Sequence, residues 1–254
     1  EVELEQAFIE FDLNDNLQAK GGLFLVPVGI LNETHEPPTL YGVERNSVEK
    51  NIIPSTWWEA GAAINGRNEN GLSWDFAVHS GLKTSGPDYK IRSGRQKVAN
   101  AKADDVAFTG RIRFTGVAGL DVSATLQHQS NITQDDTDEV SATLLETHAI
   151  YQAGPVKLTG LYATWNLDGA GPEASGADQQ TGYYLEASSK VCEKMGVFGR
   201  YSDWDNKAGD DTDSNTSETT LGVNYWPHEN VVIKADIFEQ DGASNSQGFN
   251  LGVG

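Results

Sequence analysis

The feature that most constrains this chain is the two-residue alternation of apolar and polar side chains that recurs along almost all of it. Successive side chains on a strand point to opposite faces, so each such run makes one oily face and one polar face. The cleanest run sets Val106, Phe108, Gly110, Ile112 and Phe114 against Ala107, Thr109, Arg111, Arg113 and Thr115. After a short glycine-containing turn, Leu120, Val122, Ala124 and Leu126 oppose Asp121, Ser123, Thr125 and Gln127. Elsewhere Leu72, Trp74, Phe76 and Val78 oppose Ser73, Asp75, Ala77 and His79, and Val231, Ile233, Ala235 and Ile237 oppose Lys234, Asp236 and Phe238.

The pattern predicts about 13 strands of roughly 8 to 13 residues, centred near residues 7, 24, 61, 76, 110, 125, 147, 161, 186, 200, 222, 235 and 251. Two runs depart from it. Residues 23–28 are apolar on both faces, and residues 156–167 change phase midway, which predicts a bulge. The connections alternate in length. Short turns fall near 14–16, 67–70, 117–119, 154–155, 192–195 and 228–229, and longer polar segments at 31–55, 83–104, 132–140, 169–180, 206–216 and 242–247.

Short turns at one end and long loops at the other are the habit of a transmembrane antiparallel β-barrel of the outer-membrane type. No stretch reaches the ~20 apolar residues of a membrane helix, but barrel strands alternate and need no such run. With 254 residues the chain reads as a single all-β barrel domain. Parity gives an expectation on completeness. The first and last strands run in the same sense, while complete bacterial barrels usually have even counts, so 16 strands (or 14) are expected, with the rest upstream. Glu1 opens directly into a strand-like pattern, so the sequence is expected to start after any targeting segment, and it stops at Gly254 within a strand, without the terminal aromatic residue such barrels usually carry.

Composition excludes several functions. Lys and Arg total 18 against 37 Asp and Glu, a net charge of −19, which argues against a nucleic-acid partner. The single cysteine, Cys192, allows no internal disulfide. His35, His79, His128, His148 and His228 are scattered without metal-ligand spacing or a nucleophile motif, so no metal, cofactor or enzymatic role is expected. Tyr, Trp and Phe near strand ends, among them Trp57, Trp58, Trp74, Tyr183, Tyr225 and Trp226, suit a membrane-interface girdle.

The segment 31–55 is the most informative loop. It is too long for a hairpin turn, and its Pro37, Pro38, Leu40, Tyr41, Val43, Ile52 and Ile53 need something to pack on. Folded into a lumen it would narrow the passage, with Glu33, His35, Glu36, Glu44, Arg45 and Lys50 as candidate constriction residues; packed outside on its neighbours it would not. Here the chain resembles a family. Gly22, Phe24, Pro27 and Gly29, followed by Glu44, Arg45 and Asn46, are similar to the Gly-x-Phe-x-x-Pro-Phe-Gly strand and Glu-Arg-Ser-like loop of the phosphate-selective porin O and P family, with Val28 in place of the commoner aromatic. The resemblance implies a homotrimeric outer-membrane diffusion channel whose third loop folds inward.

The second long segment concentrates Lys90, Arg92, Arg95, Lys97 and Lys102, an anion-attracting patch or a solvated loop. On the polar strand faces, Arg111, Arg113, Asp121, Glu146, Glu186, Lys190, Arg200, Lys234 and Asp236 are candidate lumen residues, because each would be costly in hydrocarbon. The expected function is passive diffusion of small hydrophilic solutes and ions, including anions such as phosphate, across a Gram-negative outer membrane rich in lipopolysaccharide. The alternatives are a plugged structural or adhesive barrel and a soluble, carbohydrate-binding β-protein.

Overall fold

In the computed structural model, which describes residues 3–254, one sheet of thirteen antiparallel strands runs in sequence order. The strands are β1 (Ala7–Asn14), β2 (Leu17–Leu25), β3 (Trp58–Arg67), β4 (Leu72–His79), β5 (Ala107–Phe114), β6 (Leu120–Gln129), β7 (Ser141–Ala153), β8 (Val156–Asp168), β9 (Gln179–Cys192), β10 (Met195–Asp205), β11 (Thr216–His228), β12 (Val231–Gly242) and β13 (Ser246–Val253). Two short helices interrupt connections: α1 (Ser47–Asn51) between β2 and β3, and α2 (Ala170–Ser175) between β8 and β9.

The two faces are inverted relative to a soluble protein. On β6 Leu126 is 55% exposed while its neighbour Gln127 is fully buried; on β5 Ile112 is 61% exposed while Arg111 is buried. Water would reverse that order, whereas hydrocarbon outside and a polar interior produce it. The exposed apolar face continues around the sheet through Leu145, Leu185, Leu221 and Ile237.

The sheet also curls strongly. Flat, its two edge strands would lie about 58 Å apart, at about 4.8 Å per strand. Yet His35 Nε2 lies 2.8 Å from Glu5, just before β1, while Pro37, two residues on, abuts Gly254 beyond β13. One three-residue stretch therefore touches both ends of the sheet, with the polar face inside.

The connections sort by length as the alternation predicts, with one correction. The last, residues 243–245, is a tight turn and not a long loop; the long ones are 26–57, 80–106, 130–140, 169–178 and 206–215. A second correction concerns β8, which carries no bulge. Its register with β7 and β9 is unbroken from Val156 to Asn166. The apparent phase change arises because the inward face passes from Lys157 and Thr159 to Leu161, Ala163, Trp165 and Leu167, all four buried. An apolar inner wall needs a cover, and residues 26–57 supply it.

Candidate pore constriction

The run apolar on both faces, residues 23–28, marks the point where the chain leaves the wall. β2 ends at Leu25, and Val26 and Val28 turn inward to join Val48, Ile52, Ile53 and Trp57 against Leu144, Leu161, Ala163, Trp165 and Tyr184 of β7–β9. Each fully buried aliphatic side chain contributes about 1.5–3 kcal/mol, so this cluster holds the segment firmly. Its ends are clamped by Asn32, whose Nδ2 donates to Val26 O (2.7 Å) and Trp57 O (2.9 Å) while its Oδ1 accepts from Trp57 N (2.6 Å). Trp165 Nε1 donates to Ile52 O at 2.9 Å, tying the segment to the wall.

Glu49 is the polar centre of the segment. It is fully buried, accepts from Ile30 N (3.0 Å), Leu31 N (2.6 Å) and Tyr184 OH (3.0 Å), and its own N–H is capped by Asn46 Oδ1 (2.8 Å). Burial pushes its carboxyl above the usual carboxylate range, opposed by the Leu31 N–H and the Tyr184 hydroxyl, while the charge of Glu146 adds to the rise. Gly29, at φ +73°, passes so close that a Cβ there would stand 2.8 Å from Glu49 Oε2, which explains the glycine.

Beyond Asn32 the segment crosses to the far wall. Lys234 Nζ donates to Leu40 O (2.9 Å) and Gly42 O (2.8 Å), Arg200 Nη2 to Tyr41 O (2.8 Å), and Val43 N donates to Asp236 Oδ2 (2.7 Å). Asn224 Nδ2 donates to Leu40 O at 2.9 Å. Loop carbonyls thus accept from Lys234 twice and from Arg200 once, and the other partner of Arg200 is the Glu186 carboxylate.

Three guanidiniums converge where residues 26–57 meet residues 80–106. Arg45 donates to Ser55 O (3.1 Å), Arg92 to Lys50 O (2.8 Å) and Ser55 O (3.2 Å), and Arg95 to Thr56 O (2.8 Å). None of the three forms an ion pair within 4 Å among the described residues. Burial, then repulsion from Arg95 and Arg45, lowers Arg92 to about 10; burial and then Arg45 likewise lower Arg95. Arg45, Lys50 and Glu44 line two adjoining cavities of about 380 and 310 Å³, bounded by Arg92, Lys234 and His35 on one side and by Arg200, Glu218 and Asp236 on the other. Cations along one flank and carboxylates beyond them set up a transverse field.

The remaining candidates are dispersed. Glu33 pairs with Arg111, which also donates to Asp75 at 2.8 Å; Glu36 is exposed. Lys90 lies 4.0 Å from Asp88, and Lys97 pairs with Glu3, so the basic stretch splits into two inward arginines and two outer, carboxylate-facing lysines. Lys102 Nζ lies 4.0 Å from Asp104. On the polar face Arg113 pairs with Asp121 (2.5 Å), His148 with Glu146 (2.6 Å) and Arg200 with Glu186 (2.7 Å), while Lys190 lies over the Trp226 ring.

A model of the Gram-negative porin family matches residues 53–244. This chain belongs to that family. The porin is 30% identical over 271 residues to an uncharacterized protein of Aquifex aeolicus, covering 95% of this chain and 62% of that relative's length. Its fold is similar to the anion-selective porin from Comamonas acidovorans (TM-score 0.64, 17% identity, 93% of this chain and 69% of that one). It is similar also to outer-membrane OmpT of Vibrio cholerae (TM-score 0.62, 11% identity, 94% and 77%). Porins of this family reside in the Gram-negative outer membrane, and the apolar belt of this chain fits that solvent.

Sequence reading of the porin missed Asn32, Glu49 and Trp165, the residues that hold the inward segment. Asn46-x-x-Glu49 has the spacing of a helix start, and this signal marks Glu49 as structural. It also assigned Trp57 and Trp226 to the interface girdle. Trp57 is instead fully buried beside His79, Trp58 is buried as well, and Trp226 packs inward on Tyr41, whereas Trp74, Tyr183 and Tyr225 remain exposed on the apolar face.

Proposed function

We propose that the protein is a passive diffusion channel for small hydrophilic solutes and ions, in which residues 26–57 form the constriction and anions, phosphate among them, are the favoured cargo. The observation that carries this reading is the convergence of Arg45, Arg92 and Arg95, without ion-paired carboxylates, beside cavities that also hold Lys50 and Lys234. In a chain of net charge −19, cations concentrated at a narrowing raise the local concentration of anions there. The acidic loops are solvated on the outer side, next to lipopolysaccharide, and the short turns face the periplasm. Subunits assemble as trimers in this reading. No covalent step and no cofactor is involved.

The test is single-channel conductance of the full-length protein in a planar bilayer under a salt gradient. Stable ohmic steps with a reversal potential of the anionic sign are expected. A cationic reversal potential would overturn the anion preference. Correctly folded, heat-modifiable protein that passes no current would overturn the channel and leave a plugged barrel.

A further inference from the structure

A separate cavity of about 850 Å³ lies between Pro38, Thr39 and Tyr41 of the inward segment and the short-turn ends of β7–β12. It shares no lining residue with the arginine-rich cavities; the run 37–43 has one on each side. We propose that this cavity binds small organic anions that combine a compact oxyanion with a planar apolar body, such as aromatic monocarboxylates. The proposal rests on the reading of the inner face as a passage reached by solutes.

Three features carry it. First, Lys157, Lys190 and Lys194 line the cavity, and none forms an ion pair within 4 Å among the described residues. The carboxylates and the imidazole of the lining lie at its rim, Glu193 and Glu229 in the turns and His228 at the end of β11. Second, Lys157 sits directly across from Ser188, with Lys190 two residues further on the same face. The Ser188 hydroxyl is buried and has no hydrogen-bond partner in the protein. Two lysines on the same cavity face as an unpartnered hydroxyl are a set of donors suited to a carboxylate or phosphate.

Third, the wall beside these donors is aromatic and fixed. Tyr41 and Trp226 meet edge to face with centroids 5.6 Å apart, Trp226 Nε1 donates to Pro38 O at 3.0 Å, and Lys190 Nζ stands 4.6 Å from the Trp226 ring. An inorganic ion satisfies the donors but leaves this wall against water. A planar acid covers it, and aromatic contact adds to the oxyanion interaction.

The experiment is a benzoate titration of the full-length protein in detergent, read by tryptophan fluorescence, with acetate and inorganic phosphate as companion probes. Saturable quenching by benzoate is expected, with acetate and phosphate each binding about tenfold more weakly, a difference of about 1.4 kcal/mol. The signal is lost in Trp226→Phe, and affinity falls about tenfold in the Lys157→Gln/Lys190→Gln double variant, which substitutes only the polar face. Equal affinity for acetate and benzoate, or for phosphate and benzoate, would overturn the assignment, as would unchanged binding in the double variant. Because the titration needs no current, a protein that conducts but does not bind benzoate sinks this site alone. One that binds benzoate but never conducts sinks the channel reading instead.

Discussion

Two walls of the same inner face have opposite chemistry. Along β4–β6 the inward positions are mostly polar, Asp75, Arg111, Arg113, Asp121, Ser123, Thr125 and Gln127 among them, with His79, Thr109 and the small Ala77 and Ala107 toward the long-loop end. Along the upper parts of β7–β9 they are Ala142, Leu144, Leu161, Ala163, Trp165 and Tyr184, all buried under the 26–57 segment. Strand geometry is the same in both. What differs is how the 26–57 segment meets them: by apolar packing on one wall, and on the other by the Glu33–Arg111 pair and the Trp57–His79 ring contact. The apolar inner wall is therefore a docking surface for the 26–57 segment, whereas the polar wall meets that segment through an ion pair and a ring contact.

The comparison predicts that substitutions on the covered wall act mainly on loop docking. The largest effect is expected from Trp165→Ala, which empties a fully buried site and removes the bond to Ile52 O. Denaturant titration should show a loss of roughly 3–5 kcal/mol, with larger and noisier single-channel currents as the segment loosens. Asn32→Leu follows, since it leaves the buried Trp57 N–H without an acceptor, while the Val26 and Trp57 carbonyls keep the Val28 and Val26 N–H groups; about 1–3 kcal/mol is expected in the same titration.

At the constriction the readout is selectivity. Arg45→Gln with Lys50→Gln should lower the anion-to-cation permeability ratio, each removed charge being worth roughly 1 kcal/mol to an adjacent anion at water-like dielectric. Reversal potentials identical to the parent would exclude this segment from the passage. A subtler effect concerns Glu49. Burial raises its carboxyl above the ordinary range, so the folded state keeps a proton that the unfolded chain has already released. Its stabilising contribution is complete below the ordinary glutamate pKa and is lost as pH rises through the raised value. Melting curves across that window should fall with pH in the parent and flatten in Glu49→Gln; equal slopes would place the dependence elsewhere.

The smallest effect is expected from Arg113→Gln on the open wall. Its bond to Asp121 is short at 2.5 Å, but the arginine side chain is 44% exposed, and such pairs contribute less than about 1 kcal/mol. If Arg113→Gln destabilised as much as Trp165→Ala, the distinction between a covered and an open wall would fail.

Much of this was legible beforehand because β geometry is local. Alternation in residues 106–127 assigns Ile112 outward and Arg111 inward with no knowledge of distant chain, and the turn lengths give the strand order. The inward turn at Val26 was foreshadowed by a run apolar on both faces, and Leu161 to Leu167 broke phase for the same reason. Reading that break as a bulge was a mistake of cause: the backbone continues, and only the environment of its inner face changes.

The sequence by itself determined the face of most strand residues, the number of strands and the ends at which most long loops lie, because these follow from a two-residue backbone period and turn length. Only the tertiary structure decided what fills the curled sheet. It buried Glu49 and sent Arg92 and Arg95 inward while leaving Lys90 and Lys97 outside with carboxylates. It also moved Trp57 from an expected girdle into the core and Trp226 onto the inner face, where it is half-buried. The physical reason is that a loop carries no period of its own. Its place is set by hydrogen bonds and apolar contacts to strands more than a hundred residues away, as Trp165 to Ile52 and Tyr184 to Glu49 illustrate.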